Sequence, residues 1–170
     1  MKMANIIILN SAARKNGNTN ALVQEFTKGA KSAGNTVKEF YLQTMTIRGC
    51  IGCMGCARNA DPCTQKDEMS QIYDSFMNAD VVILSSPVYF LGINGTLKTA
   101  LDRLFAVFNK YGFEECQRKC ALLMTSDDPQ YEYAVNWYRD YLDSIGWENL
   151  GEVLGSRSTQ EAYDLGASIQ

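Results

Sequence analysis

Ala4-Asn5-Ile6-Ile7-Ile8-Leu9-Asn10 runs directly into the polar stretch Ser11-Ala12-Ala13-Arg14-Lys15-Asn16-Gly17-Asn18-Thr19-Asn20. Leu22, Val23, Phe26 and Ala30 follow at helical spacing. The isoleucine run is apolar without alternation and has the length of a strand, the pattern of a strand buried on both faces. A strand covered on both faces needs helices above and below it. This opening unit therefore predicts an α/β protein with a parallel sheet. Asn18 is placed to cap the first helix and Gly34 to end it.

The same alternation continues outward. Thr36 to Leu42 reads as a second strand, and a cysteine-bearing loop runs from about Thr44 to Lys66. Asp67 and Glu68 sit at the start of a helix, where carboxylates complement the dipole, and Met69, Ile72, Tyr73, Phe76 and Met77 form its apolar stripe. Asp80 to Ser85 is a third buried strand, Ser86 to Gly92 a loop, and Asn94 to about Lys110 a long helix with Leu97, Leu101, Leu104, Phe105 and Phe108 facing inward. Lys119 to Thr125 is the fourth strand and Ser126 to Gln130 a turn. A helix through Ala134, Trp137, Tyr138, Tyr141 and Ile145 stops at Gly146, Trp147 to Leu154 is the fifth strand, and Thr159 to Ser168 the last helix. No repeat, low-complexity stretch or linker interrupts residues 1–170, so one domain is expected. Five strands alternating with helices predict a three-layer sandwich of the flavodoxin-like kind: a parallel sheet in the order 2-1-3-4-5 with helices on both faces. Ligands of such sheets bind beyond the carboxyl ends of the strands, at the switch point between strands 1 and 3. Loops 10–20, 86–94 and 125–130 should meet there.

Composition narrows the chemistry. The chain is 46% hydrophobic and 21% charged, with a net charge of −3 and a pI near 5.0. This balance argues against nucleic acid or an anionic membrane as partner. There are no histidines, which removes Ser-His-Asp and Cys-His catalysis and imidazole metal sites. Chemistry must come from cysteines, carboxylates, backbone amides or a bound cofactor, and no side chain is assigned a catalytic role. The run Ile6 to Leu9 is too short for a signal sequence or a membrane span, so the expectation is a cytoplasmic protein with reduced thiols.

Three stretches carry candidate sites. The first loop places Ser11, Arg14, Asn18 and Thr19 before a helix N-terminus, where amides and the dipole favour a phosphate; it is neither a P-loop nor G-x-G-x-x-G. Ser86-Pro87-Val88-Tyr89-Phe90 puts aromatics and a proline at the tip of a buried strand, a surface for a flat ring. Cys50-Ile51-Gly52-Cys53-Met54-Gly55-Cys56, closed by Cys63, gives the spacing C-x2-C-x2-C-x6-C. Four thiolates so spaced suit an iron–sulfur cluster, a structural zinc, or no metal at all in a reducing compartment. Cys116 and Cys120 read as small core or surface residues, and Asp127 and Asp128 as a solvated turn.

Ser11-Ala-Ala-Arg-Lys-Asn-Gly-Asn-Thr19, the cysteine run with Asp67-Glu-Met69, Ser85-Ser-Pro-Val-Tyr-Phe90, Leu97-Lys-x-x-x-Asp102-Arg103 and the closing Glu161-Ala-Tyr-Asp-Leu-Gly166 together resemble the NADPH-dependent FMN reductases, and among them the iron-sulfur flavoproteins. The resemblance covers nearly the whole chain. One departure is Asn10-Ser-Ala-Ala-Arg14, where the family has Gly-Ser-Pro-Arg; Asn takes some of the backbone conformations of Gly. The resemblance implies FMN, with phosphate-loop contacts at Ser11, Arg14, Asn18, Thr19 and Asn20. Ring-side contacts fall on Pro87, Val88, Tyr89, Phe90 and Asn94, with Thr125 and Ser126 from the third loop. It implies a 4Fe-4S cluster on Cys50, Cys53, Cys56 and Cys63, and a homodimer or homotetramer. The activity implied is passage of electrons from NAD(P)H through FMN to a quinone, a small electrophile or the cluster. The alternatives are an electron carrier serving a ferredoxin-like partner and a redox or metal sensor built on the cysteine loop.

Overall fold

The computed structural model describes residues 3–58 and 62–170. Strand β1 (Asn5–Asn10) leads to α1 (Asn18–Ser32), then β2 (Thr36–Tyr41), α2 (Met69–Met77), β3 (Val81–Tyr89), β4 (Gly92–Ile93), α3 (Gly95–Tyr111), β5 (Lys119–Thr125), α4 (Glu132–Ile145), β6 (Glu148–Leu154) and α5 (Thr159–Ser168). The five long strands are parallel in the order β2-β1-β3-β5-β6, the flavodoxin-like order expected. A sixth strand is the departure. Residues 86–92, read from the sequence as a loop, continue β3 to Tyr89 and fold back as β4, which pairs antiparallel through Val88–Ile93 and Tyr89–Gly92. A second departure is at the start of α1, where Gly17 holds the capping position and Asn18 is the first helical residue.

Alternation along the central strands builds two cores. Ile6 and Ile8 of β1, Val81 and Ile83 of β3, and Ala121 and Leu123 of β5 pack under Leu22, Val23, Phe26 and Ala30 of α1 and Ala162 of α5. Ile7, Leu9, Val82, Leu84, Cys120, Leu122 and Met124 point the other way, against α2, α3 and α4. This second core includes Phe76 stacked on Trp147, with ring centroids 5.7 Å apart. Helices α1 and α5 cross so closely that a Cβ on Gly29 would run into the backbone of Tyr163, and one on Gly166 into the backbone of Phe26. Both crossing positions therefore require glycine. Cys116 and Cys120 are buried, and burial pushes the Cys120 thiol up to about 12, leaving it protonated and inert. Among the described residues no helix is long and apolar enough to cross a membrane.

Candidate functional site

The carboxyl ends of β1, β3 and β5 bring the three loops named from the sequence to one cleft of about 110 Å³. Arg14, Asn18 and Thr19 line it from the first loop, Pro87, Val88 and Tyr89 from the second, and Thr125, Ser126 and Asp127 from the third. Buried side chains hold the first loop in shape. Asn10 Nδ2 donates to Asn20 Oδ1 and Glu39 Oε1, each at 2.7 Å, and Asn10 Oδ1 accepts from the Ala12 amide at 3.0 Å. Asn20 Nδ2 donates to the Lys15 carbonyl at 2.6 Å. Ser11 donates both its amide and its hydroxyl to the Ser85 carbonyl, at 3.0 and 2.6 Å, which ties the loop to β3. Thr19 and Thr125 hydroxyls meet at 2.5 Å across the cleft floor. Gly17 has no side chain with which to cap α1, and the first turn carries no acidic residue. The start of α1 and the exposed Arg14 thus line the cleft with no carboxylate in the helix's first turn to compete for its amides.

The twelve flavin-side residues expected from the sequence fall into three groups. Arg14, Asn18, Thr19, Pro87, Val88, Tyr89, Thr125 and Ser126 line the cleft. Ser11, Asn20 and Asn94 are buried struts behind it. Asn94 caps α3 by accepting from the Leu97 amide at 3.0 Å, while its Nδ2 donates to the Ser11 carbonyl at 2.7 Å and its own amide donates to Ser86 Oγ at 2.9 Å. Phe90 stands at the tip of the β3–β4 hairpin, fully exposed. Phe90 and Leu91 have φ of 48° and 66°, left-handed backbone at both centres of a two-residue turn. Neither residue suits that region, and strain of about 1–2 kcal/mol per residue is stored at the mouth of the cleft. The sequence pointed to Ala12, Ala13 and Gly17 only through the loop as a whole, since each contributes backbone rather than a chemical group.

Cys50, Cys53, Cys56 and Cys63 line one largely apolar cavity of about 80 Å³, closed from below by Asp102, Arg103 and Phe105 of α3. Donors lie beside two of the sulfurs: Asn109 Nδ2 is 3.3 Å from Cys56 Sγ, and the Thr64 hydroxyl is 3.5 Å from Cys53 Sγ. The Thr64 hydroxyl and the Gly55 amide hold the Cys53 thiol below its ordinary value. Among the described residues, no three metal-ligating side chains are drawn together tightly enough to hold an ion.

The cavity is built on a salt bridge not anticipated from the sequence. Arg103 is 1% exposed. Its Nη1 donates to Asp67 Oδ2 and to the Arg48 carbonyl, each at 2.7 Å, and its Nη2 to Asp67 Oδ1 at 3.1 Å. Asp67 also accepts from the Arg48 amide at 3.1 Å and the Met69 amide at 3.2 Å, and Glu68 accepts from the Thr46 amide at 2.6 Å. The carboxylates at the head of α2 thus fasten both ends of the cysteine loop to α3, instead of serving only the helix dipole. Burial alone would raise the Asp67 carboxyl; Arg103 and the two amides outweigh it and hold the carboxyl below the usual range. Arg103 Nε is buried without a hydrogen-bond partner among the described residues. The signal in the sequence was a charged residue at position 103, three after Ala100 and four before Val107, inside the inward stripe of α3.

Comparison with known proteins adds the lineage. An iron-sulfur flavoprotein from Clostridioides difficile is 24% identical over 161 residues, covering 94% of this chain and 68% of that protein. One from Archaeoglobus fulgidus is 32% identical over 91 residues, covering 54% of this chain and 41% of that protein, and one from Methanocaldococcus jannaschii is 35% identical over 80 residues, covering 47% and 40%. In these two archaeal alignments the chain spans about two fifths of the relative's length. The NAD(P)H:quinone oxidoreductase from Methanothermobacter marburgensis superposes with a TM-score of 0.72 at 15% identity, covering 98% of this chain and 96% of that one, which is a likeness of fold. The family of NADPH-dependent FMN reductases matches residues 4–152, a stretch that holds both the cleft and the cysteine cavity, and the chain belongs to that family.

Proposed function

We propose that this protein is an FMN-dependent oxidoreductase that takes electrons from NAD(P)H and passes them to a small-molecule acceptor such as a quinone or to a cluster held by the four cysteines. The observation that carries this reading is the convergence of three loops at the switch point of the sheet. The residues present fit FMN. Arg14 and the open first turn of α1 would hold the phosphate, and Pro87, Val88 and Tyr89 would flank the ring. The flavin would supply the hydride and one-electron chemistry. The chain would supply anchoring, orientation and shielding, which is consistent with the absence of histidine.

The cysteine cavity fits a 4Fe-4S cluster better than zinc. A zinc ion needs four sulfurs drawn to about 2.3 Å from one centre. Here the four cysteines share the lining of one largely apolar cavity of about 80 Å³. Soft donors, apolar walls and N–H groups near sulfur are the environment a cluster requires.

A second reading follows from the exposure of Cys50 and Cys53. A cluster so near the surface suits exchange with a ferredoxin-like protein, making this chain an electron carrier with little NAD(P)H turnover. The test is an absorption spectrum of protein purified without oxygen, with FMN, iron and sulfide assayed on the same sample, followed by reduction with NAD(P)H or reduced ferredoxin. Fast reduction by NAD(P)H supports the enzyme, and fast reduction by ferredoxin alone supports the carrier. Absence of flavin after incubation with FMN overturns both.

A further inference from the structure

Helix α3 carries two nitrogen donors at the cysteine cavity: Arg103 Nε, which has no acceptor among the described residues, and Asn109 Nδ2, which already meets a cysteine sulfur. Arg103 lies on the cavity floor with its terminal nitrogens fixed by Asp67 and the Arg48 carbonyl. That clamp sets the plane of the guanidinium and leaves Nε–H buried and unpaired among the described residues. Six residues further along the same helix, Asn109 Nδ2 lies 3.3 Å from Cys56 Sγ. A buried N–H of a charged group without an acceptor is rare in folded proteins, and the cysteines that line this cavity with Arg103 offer sulfur as the acceptor.

We propose that Arg103 and Asn109 are positioning residues that donate hydrogen bonds to the sulfur atoms of a cluster held by Cys50, Cys53, Cys56 and Cys63, and thereby raise its reduction potential. This rests on the reading of the cysteine cavity as a cluster site. N–H groups directed at sulfur stabilise the added electron, so removing them makes the cluster harder to reduce. Asp67 neutralises the Arg103 charge. The hydrogen bond, and not net charge, is therefore the part that a conservative substitution can remove.

The experiment compares wild type with Arg103→Lys and Asn109→Leu after anaerobic reconstitution with iron and sulfide. Iron content is measured, and the cluster and flavin potentials are followed in one spectroelectrochemical titration. Lys keeps the positive charge opposite Asp67 but has no Nε–H, and Leu keeps the branched shape of Asn109 without its N–H at a half-buried position. The expected result is near wild-type iron content, a lower cluster potential in each variant, a larger drop in the double variant, and an unmoved FMN couple. Iron retained with an unmoved cluster potential in both single variants overturns the proposal while leaving the cluster reading intact. A wild type that takes up no iron overturns the cluster reading and this proposal with it. If Arg103→Lys fails to fold, Asn109→Leu decides alone: a lowered potential supports the donor role and an unchanged one refutes it.

Discussion

Replacing Arg103 with Met should loosen the cysteine loop far more than removal of a surface charge would. Methionine fills a similar length, so little cavity is created. What is lost is three hydrogen bonds, two to Asp67 and one to the Arg48 carbonyl. Asp67, whose side chain is 4% exposed, is left with the Arg48 and Met69 amides at 3.1 and 3.2 Å and the largely exposed, solvent-screened Arg48 guanidinium at 3.9 Å. Removing one partner of a buried ion pair costs about 3–5 kcal/mol, because the remaining charge stays buried. At about 2–4 °C per kcal/mol for a chain of this size, the Tm should fall by about 6–20 °C. The assay is thermal and urea unfolding of reduced, metal-free protein at pH 7, alongside an Asp67→Leu/Arg103→Met double variant. The double variant leaves no carboxylate unpaired and should recover more than half of the loss. A loss under about 1 kcal/mol, the range of exposed pairs, would refute the argument. So would a double variant no more stable than the single one.

Other consequences are open to direct measurement. Because the folded Asp67 carboxyl lies below its unfolded value of about 3.9, its stabilisation is present above that pH and lost as pH falls through the folded value; Asp67→Asn should flatten the acid arm of a Tm-against-pH profile, and an unchanged arm would count against the clamp. Gly166→Ala should destabilise by about 2–3 kcal/mol or more by forcing α5 off the Phe26 backbone, and calorimetry showing less than 1 kcal/mol would mean the helices yield freely. Leu91→Gly should stabilise by about 0.5 kcal/mol, since relief of the left-handed backbone exceeds the entropy that glycine adds to the unfolded chain; lower stability would argue against strain at the tip. Tyr89→Ala should weaken FMN binding measured by fluorescence titration by more than it lowers Tm, and equal retention of FMN would remove Tyr89 from the ring platform.

The strand order was legible because the central strands are buried on both faces and so read as unbroken apolar runs: Ile6 to Leu9, Val81 to Leu84, Ala121 to Met124. Their carboxyl ends then fixed where the loops meet. The β3–β4 hairpin was not legible, because its turn is Phe90-Leu91, where a two-residue hairpin ordinarily announces itself with Asn-Gly or Gly. The start of α1 was misplaced by one residue for a related reason: Asn18 is the better capping residue by propensity, yet the backbone gives that position to Gly17 and leaves the amides free of a side-chain cap. Asp67 looked like a helix-start carboxylate, and local reasoning could not reveal its partner thirty-six residues away.

Helix α3 is the element that makes one site of these parts. Its cap, Asn94, holds the carbonyl of Ser11 in the β1–α1 loop and accepts the Leu97 amide at the helix start. Nine residues on, about 14 Å along the axis at 1.5 Å per residue, Arg103 holds Asp67 and Arg48 at the two ends of the cysteine loop. Asn109 then reaches Cys56. A rigid helix fastened at both places fixes the cysteine cavity relative to the cleft, so a shift of the loop cannot occur without breaking the Arg103 clamp or displacing the helix cap. For the proposed flavin and cluster, electron exchange would depend on a constant separation, and a helix held by buried, directional bonds would keep it where a loop alone would not. This also accounts for a charged residue inside the apolar stripe of α3: an apolar side chain at 103 would pack, but it could not hold the two ends of a glycine-rich loop in register.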